Sequence, residues 1–343
     1  MDNHPPSRHS FAVLTLSCAL MACSSQSARR STQTSTEGTQ VVAAAMPKAN
    51  GSAYEAADRV HLPKVEPEDH PSLHNVFALS KNIISGSEPH GEEAFAILKA
   101  KGIRTILSVD GKVPNAEMAA RYGMRYVHVP IQYKGMNEDE VTKISKTFRE
   151  LPGPFYVHCF HGKHRGPAAA ALGRLVVDGL GREQAIAEMR QWCGTSKSYE
   201  GLYETIARTE VPDATITEAL DFEFPAAHPL DGVPGSMVPI VRANDHLKDL
   251  AKRDFETDPA HPDVDALHEA GKIASLFEQA SKLDSSDYGD DFRQWMQDAV
   301  RHSGELRDEL QKMKDGAGDV EAAKRAFSGV AASCKACHGV YRN

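Results

Sequence analysis

Two folded regions of different class are predicted for this chain of 343 residues: an α/β region with a mostly parallel sheet flanked by helices, and an all-α four-helix bundle. Three observations lead there. From about Val76, short apolar runs alternate with helix-patterned segments, as in a sheet covered on both faces. Residues 212 to 235 then scatter prolines and glycines between periodic stretches, which marks a linker. Beyond it strand signals stop and four amphipathic helices follow, approximately 236 to 254, 264 to 283, 288 to 314 and 319 to 338.

The chain opens with Arg8 and His9 before an apolar run from Phe11 to Ala22, too short for a permanent membrane span and patterned as an export signal over residues 1 to 22. Its end, LMAC, resembles the lipobox of bacterial lipoproteins, which implies lipidation of Cys23, loss of Cys18 with the signal and an extracytoplasmic, lipid-anchored protein on the periplasmic side. Residues 23 to 71 are assigned to a flexible tether, because the Ser, Thr, Gln and Ala that dominate 24 to 53 show no hydrophobic period. The net charge of -8 leaves no footprint of nucleic-acid binding.

In the first folded region, over residues 72 to 211, NIISGSEP leads to a helix from Glu92 to Lys101 that Gly102 stops. RTILSV is a strand, Asn115 to Tyr122 a helix and YVHVPI another strand; a helix then starts at Asn137, whose spacing to Glu140 suits a capping box. The strand at 155 to 157 runs into HCFHGKHRG, and the helices GPAAAALGRLVVDGL, REQAIAEMRQW and SYEGLYETIAR follow. Ligands bind beyond the carboxyl ends of strands in such sheets, and Cys159 and Asp110 lie at two of those ends, with His128 and Tyr133 near a third.

Residues 158 to 166 are the chemical centre of this region. A loop between a strand and a helix N-terminus presents unpaired N-H groups to an anion. Cys159 and Arg165 bracket that loop, so the sulfur can lie at its floor while the guanidinium grips two anion oxygens. The helix start and the arginine favour the thiolate. Gly162 gives the tight loop its freedom, His158 braces it, and Lys163 and His164 make its mouth cationic. The His-Cys-x5-Arg pattern resembles the cysteine-dependent phosphatases of the dual-specificity-like group, over roughly residues 72 to 210. A sulfur transferase also caps a helix with a thiolate, but usually with a shorter loop.

That resemblance implies a phosphoester or other anionic substrate, Cys159 as nucleophile, Arg165 as phosphate clamp, and contacts from His158, Phe160, His161, Gly162, Lys163 and His164. It also implies an aspartate that protonates the leaving oxygen. The usual stretch for it reads Gln132, Tyr133, Lys134, Gly135, so Asp110 is the first candidate and Asp139 the second. Gly166 replaces the family's usual Ser or Thr, whose hydroxyl helps the thiolate depart, which implies slow turnover. Cys193 reads as a packed thiol.

The fourth bundle helix ends in Cys334-Lys-Ala-Cys337-His338, the attachment pattern of c-type haem: two sulfurs for the vinyl groups and His338 for the iron. No second cysteine pair is present for zinc. A bundle with this motif near its end, over about 230 to 343, resembles the class II cytochromes c, the c' and c556 group, and implies a haem c cofactor and a redox partner protein. Met237 is the candidate for the other axial position, with His246 its competitor and an open site the third option.

Overall fold

The computed structural model describes residues 51 to 341 apart from Ala260; Cys23, the signal segment and the first part of the tether lie outside the described residues. The chain begins with α1 (Ala53–Ala56), β1 (Glu68–His70), β2 (Leu73–Ala78), β3 (Ile83–Gly86), α2 (Gly91–Ala100) and β4 (Thr105–Ser108). Next come α3 (Ala116–Arg121), β5 (Arg125–His128), α4 (Glu138–Glu150), β6 (Phe155–His158) and α5 (Arg165–Val177). After α6 (Arg182–Ala187), which runs on through a π turn at Glu188–Trp192, α7 (Glu200–Arg208) and α8 (Ala214–Ala219) complete the first region.

The sheet order is β1-β2-β3-β6-β4-β5. Strands β3, β6, β4 and β5 are parallel, while β1 and β2 add an antiparallel edge that the sequence pattern did not announce. Strand β6 lies between β3 and β4, so its end, which carries Cys159, falls in the middle of the sheet. Behind it the alanines 168 to 171 of α5 are at most 1% exposed. Small side chains let this helix sit buried on every side, with apolar neighbours all round rather than on one stripe. The capping box of α4 forms as its spacing suggests, Asn137 and Glu140 exchanging two 2.9 Å bonds.

Two boundaries move. The tether expected to run to residue 71 ends earlier: Ala53 and Ala57 are buried in the core, Leu62 N donates to Gln191, and β1 joins the sheet. Alanine carries too little hydrophobic signal to betray such packing. The linker of 212 to 235 contains α8, whose Thr217 is fully buried, and Phe222 and Phe224 pack on the core.

The second region has four helices, α9 (Gly232–Ala251), α10 (Ala266–Ala280), α11 (Asp290–Lys314) and α12 (Val320–Tyr341), around their own apolar core. Consecutive helices pack closely. An Asp254 to Lys324 ion pair and the Phe255 and Phe327 rings, 6.4 Å apart, set the end of α9 beside the start of α12. No helix among the described residues is long and apolar enough to cross a membrane.

Candidate active site and haem site

The loop from β6 to α5 is turned outward by its carbonyls. Phe160 O accepts from Glu88 N at 3.0 Å, His161 O from Asn75 Nδ2 at 2.8 Å, and Lys163 O from Thr195 Oγ1 at 2.6 Å. Among the described residues no backbone N-H from Phe160 to Arg165 donates to another backbone group or side chain. The result is a cradle of free donors at a helix start, the arrangement that binds an anion. Gly162 makes the fold of this loop possible: its φ is +70°, and a Cβ there would stand 2.3 Å from the Gly86 carbonyl carbon.

Cys159 is 3% exposed, at the floor. His158 stands behind it, its Nε2 2.5 Å from the Tyr126 hydroxyl, and burial lowers its pKa to about 4. A neutral imidazole in that place is a brace, as the sequence suggested. His164 is likewise pushed down to about 4, chiefly by burial, and its Nδ1 accepts from Ser196 N. His161 is half-buried and also lowered by burial, whereas Lys163 is exposed at the rim. Cys193 is a buried free thiol whose pKa burial raises. His128 is neutral for the same reason as His158 and bonds the Asp110 carbonyl through Nε2 at 2.7 Å.

Arg165 is held on two sides. Its NH2 donates to Asp110 Oδ2 at 2.5 Å, and its guanidinium lies 4.5 Å from the centre of the Tyr133 ring. Its Nε is buried without a partner among the described residues, a donor left for an anion in the cradle. Asp110 is therefore a brace for the arginine. Burial alone would push its carboxyl up, yet the charges of His268, then of Arg165, hold it well below the ordinary carboxylate range. A carboxylate kept ionised in this way has no proton to give, so its assignment as proton donor is corrected to that of counter-ion. Asp139 pairs with Lys143 at 2.6 Å and lines a depression with Ile216, Ala219 and Leu220, so it is not brought to the cradle either.

The largest surprise is the roof. Helix α10 of the bundle crosses the cradle and places His268 flat on Phe160, ring centres 3.8 Å apart, with Nε2 3.1 Å from Asp110 Oδ1. Tyr199 donates to Asp263 at 2.5 Å, and the Gln132 amide, oriented to satisfy both groups, accepts from Arg242 at 2.9 Å. The sequence pattern did not single out His268, which is buried together with Glu269 and Lys272. A cleft of about 1140 Å³ runs along this seam beside Phe160, His161, Lys163 and His268.

In the bundle, Cys334 and Cys337 are free and half-buried, and burial raises the pKa of both thiols. They share an apolar cluster with Met237 and Tyr341. Spacings of three and four residues put both cysteines and His338 on one side of α12. Two turns beyond Met237 on α9, the Asn244 Oδ1 is buried with no partner among the described residues. Lys248, one turn further, lies close enough to act on Cys334. A thiol pair, an imidazole and a thioether around an apolar cluster with one orphaned polar atom fit a haem. His246 does not compete for it, because it faces Glu269 at 3.2 Å.

Comparison with known proteins agrees on both regions. Residues 237–342 match the family described as Cytochrome C'. Two curated relatives, both described as dual specificity protein phosphatase TpbA and from two strains of Pseudomonas aeruginosa, are 26% identical over 123 residues and 25% over 122. Each match covers 35% of this chain and 55% of the relative, so the chain spans about half the length of the curated relatives it matches. A crystal structure of P. aeruginosa TpbA overlays at 22% identity, 46% of this chain, 96% of that one and a TM-score of 0.37. The core catalytic domain of the S. cerevisiae PP-IP phosphatase SIW14, solved with citrate, gives 17%, 46%, 93% and 0.35.

Proposed function

We propose that this chain, which joins a TpbA-like dual-specificity phosphatase region to a Cytochrome C' region, is an exported, lipid-anchored phosphatase that hydrolyses phosphoesters through a phosphocysteine. The observation that carries the reading is the cradle of undonated N-H groups with Cys159 at its floor and the free Nε of Arg165 at its edge. Cys159 Sγ attacks phosphorus as the ester P-O bond breaks. Arg165 and the loop N-H groups stabilise the oxygens of the transferred phosphoryl, the kind of preorganised donor set that contributes most to such reactions. Water then attacks phosphorus and the S-P bond breaks, returning the thiolate. With no hydroxyl at Gly166, that second half is slow.

In the bundle, Cys334 and Cys337 would carry the porphyrin covalently and His338 would ligate iron, with Met237 on its other side. A c-type haem supplies reversible one-electron chemistry when bound. A periplasmic address suits both the lipobox-like LMAC at residues 20 to 23 and covalent haem attachment, and a phosphorylated substrate and a redox protein are the partners this reading implies.

A second reading is favoured by the ionised Asp110 and by the roof over the cradle: a haem electron-transfer or sensor protein whose first region only holds an anion. One experiment separates them. The full chain should release phosphate from an aryl phosphate and Cys159→Ser should not. If both are equally inactive while both bind phosphate, the second reading stands.

A further inference from the structure

We propose that His268, supplied by the bundle, is the proton donor of the phosphatase site, so that the cytochrome region completes the active site rather than merely adjoining it. This rests on the phosphatase reading given above. The stretch where related enzymes carry their acid offers Gln132, Tyr133, Lys134 and Gly135 here, none of which is a carboxylic acid. Asp110 is bound as an anion, Asp139 is turned elsewhere, and Glu88, whose N-H bonds Phe160 O, pairs with Lys112 at 2.8 Å, which helps hold its carboxyl below the ordinary range. That leaves imidazoles. Burial lowers His158 and His164 to about 4, and they are engaged by Tyr126 and Ser196 N; burial also lowers the cleft residues His90 and His161.

His268 differs in its partner. Its Nε2 lies 3.1 Å from the Asp110 carboxylate, which Arg165 holds from the other side, so one carboxylate orients both the phosphate clamp and the imidazole. Its ring is fixed by stacking on Phe160, the residue next to the nucleophile. His268 is 3% exposed and neither ring nitrogen completes a hydrogen bond among the described residues: Nε2 only approaches Asp110 Oδ1 as an ion-pair contact, and Nδ1 has no polar neighbour in bonding geometry. His268 also lines the cleft that passes Phe160, His161 and Lys163, where a leaving group would lie. An imidazole with one nitrogen facing a carboxylate and the other unpartnered, stacked on the neighbour of the nucleophile, is the arrangement of a general acid and base.

The proton balance is as follows. As the S-P bond forms and the P-O bond breaks, the departing oxygen takes the proton from Nδ1 of the imidazolium, leaving His268 neutral. In the second half His268 accepts a proton from the water whose oxygen bonds to phosphorus, and the S-P bond breaks. Ester and water become alcohol and phosphate, and His268 is restored.

The experiment compares His268→Ala and His268→Gln with the unaltered full chain on two substrates, phenyl phosphate and 4-nitrophenyl phosphate, with inorganic phosphate as competitive inhibitor. Loss of a general acid should lower kcat about 100-fold or more on phenyl phosphate. The loss on 4-nitrophenyl phosphate should be at least tenfold smaller, since that leaving group needs no proton. Inhibition by phosphate should stay within threefold, and added imidazole should restore part of the Ala variant's rate. Equal losses on both substrates in the Gln variant, which keeps the packing, would overturn the assignment. So would a rise in rate on both, which would make α10 a gate. If the unaltered chain releases no phosphate, the phosphatase reading falls with it; if it does and the variants match it, only this assignment falls.

Discussion

Replacing Asp110 by Asn tests whether one buried carboxylate ties the two regions together. Asp110 is 3% exposed and faces Arg165 at 2.5 Å and His268 at 3.1 Å. Removing one member of a buried charge cluster leaves the others uncompensated and costs about 3 to 5 kcal/mol. Asn keeps the shape and one acceptor, so the lower end, about 3 kcal/mol, is expected. At about 2 to 4 °C per kcal/mol for domains of this size, the midpoint of thermal unfolding should fall by roughly 6 to 12 °C. The pH dependence fixes the sign. The folded-state pKa of Asp110 is depressed, so its contribution is complete above the unfolded value of about 3.9 and is lost as pH falls from there through the folded value. Urea unfolding of both proteins, followed by circular dichroism from pH 7 to pH 3, should show a gap that is constant above about pH 5 and closes below pH 4. A gap under about 0.5 kcal/mol at pH 7, the size of an ordinary surface change, would refute the bridging role. A gap unchanged at pH 3 would refute its electrostatic origin.

Three further outcomes follow from the geometry. Gly162→Ala puts a methyl 2.3 Å from the Gly86 carbonyl carbon at a φ of +70°, so phosphate affinity should fall at least tenfold, as about 1.4 kcal/mol of distortion would suffice for, measured by calorimetric titration. Gly166→Ser restores a hydroxyl beside Cys159, at the cost of a 3.0 Å contact with Cys159 N; rapid-mixing kinetics should show the initial burst of phenol shrinking as the second half-reaction gains speed. Cys334→Ala with Cys337→Ala should abolish the haem stain that survives denaturation while leaving phosphate release by the first region within about threefold, which is under 1 kcal/mol.

The parts of this protein that were legible in its sequence are those whose signal is local. Strand β6 followed by Cys159, five residues and Arg165 could be read directly, because the anion cradle is built within nine consecutive residues and its chemistry travels with them. The same holds for Cys334, Cys337 and His338 on one helix. The antiparallel edge was not legible, since Glu68–His70 is polar and short, and neither was the docking of Ala53 and Ala57, which fill space without hydrophobic periodicity. The limits of α8 were hidden by the prolines and glycines around it. Asp110 was placed correctly at the carboxyl end of its strand, but its role reversed, because the charge that holds it ionised comes in part from residue 268, 158 positions away.

That distance explains why two apparently separate regions belong together chemically. Phe160, Tyr199 and Gln132 of the α/β region meet His268, Asp263 and Arg242 of the bundle. Each finds its partner on the other surface. Buried polar groups persist only where their partners are supplied, since leaving one unpaired costs about 1 to 3 kcal/mol. On α10 it is His268 that meets the cradle, while the buried Glu269 pairs with Lys272 and faces His246 within the bundle. With Asp110 bound between Arg165 and His268 and Glu88 paired with Lys112, the seam is also where the missing proton can come from.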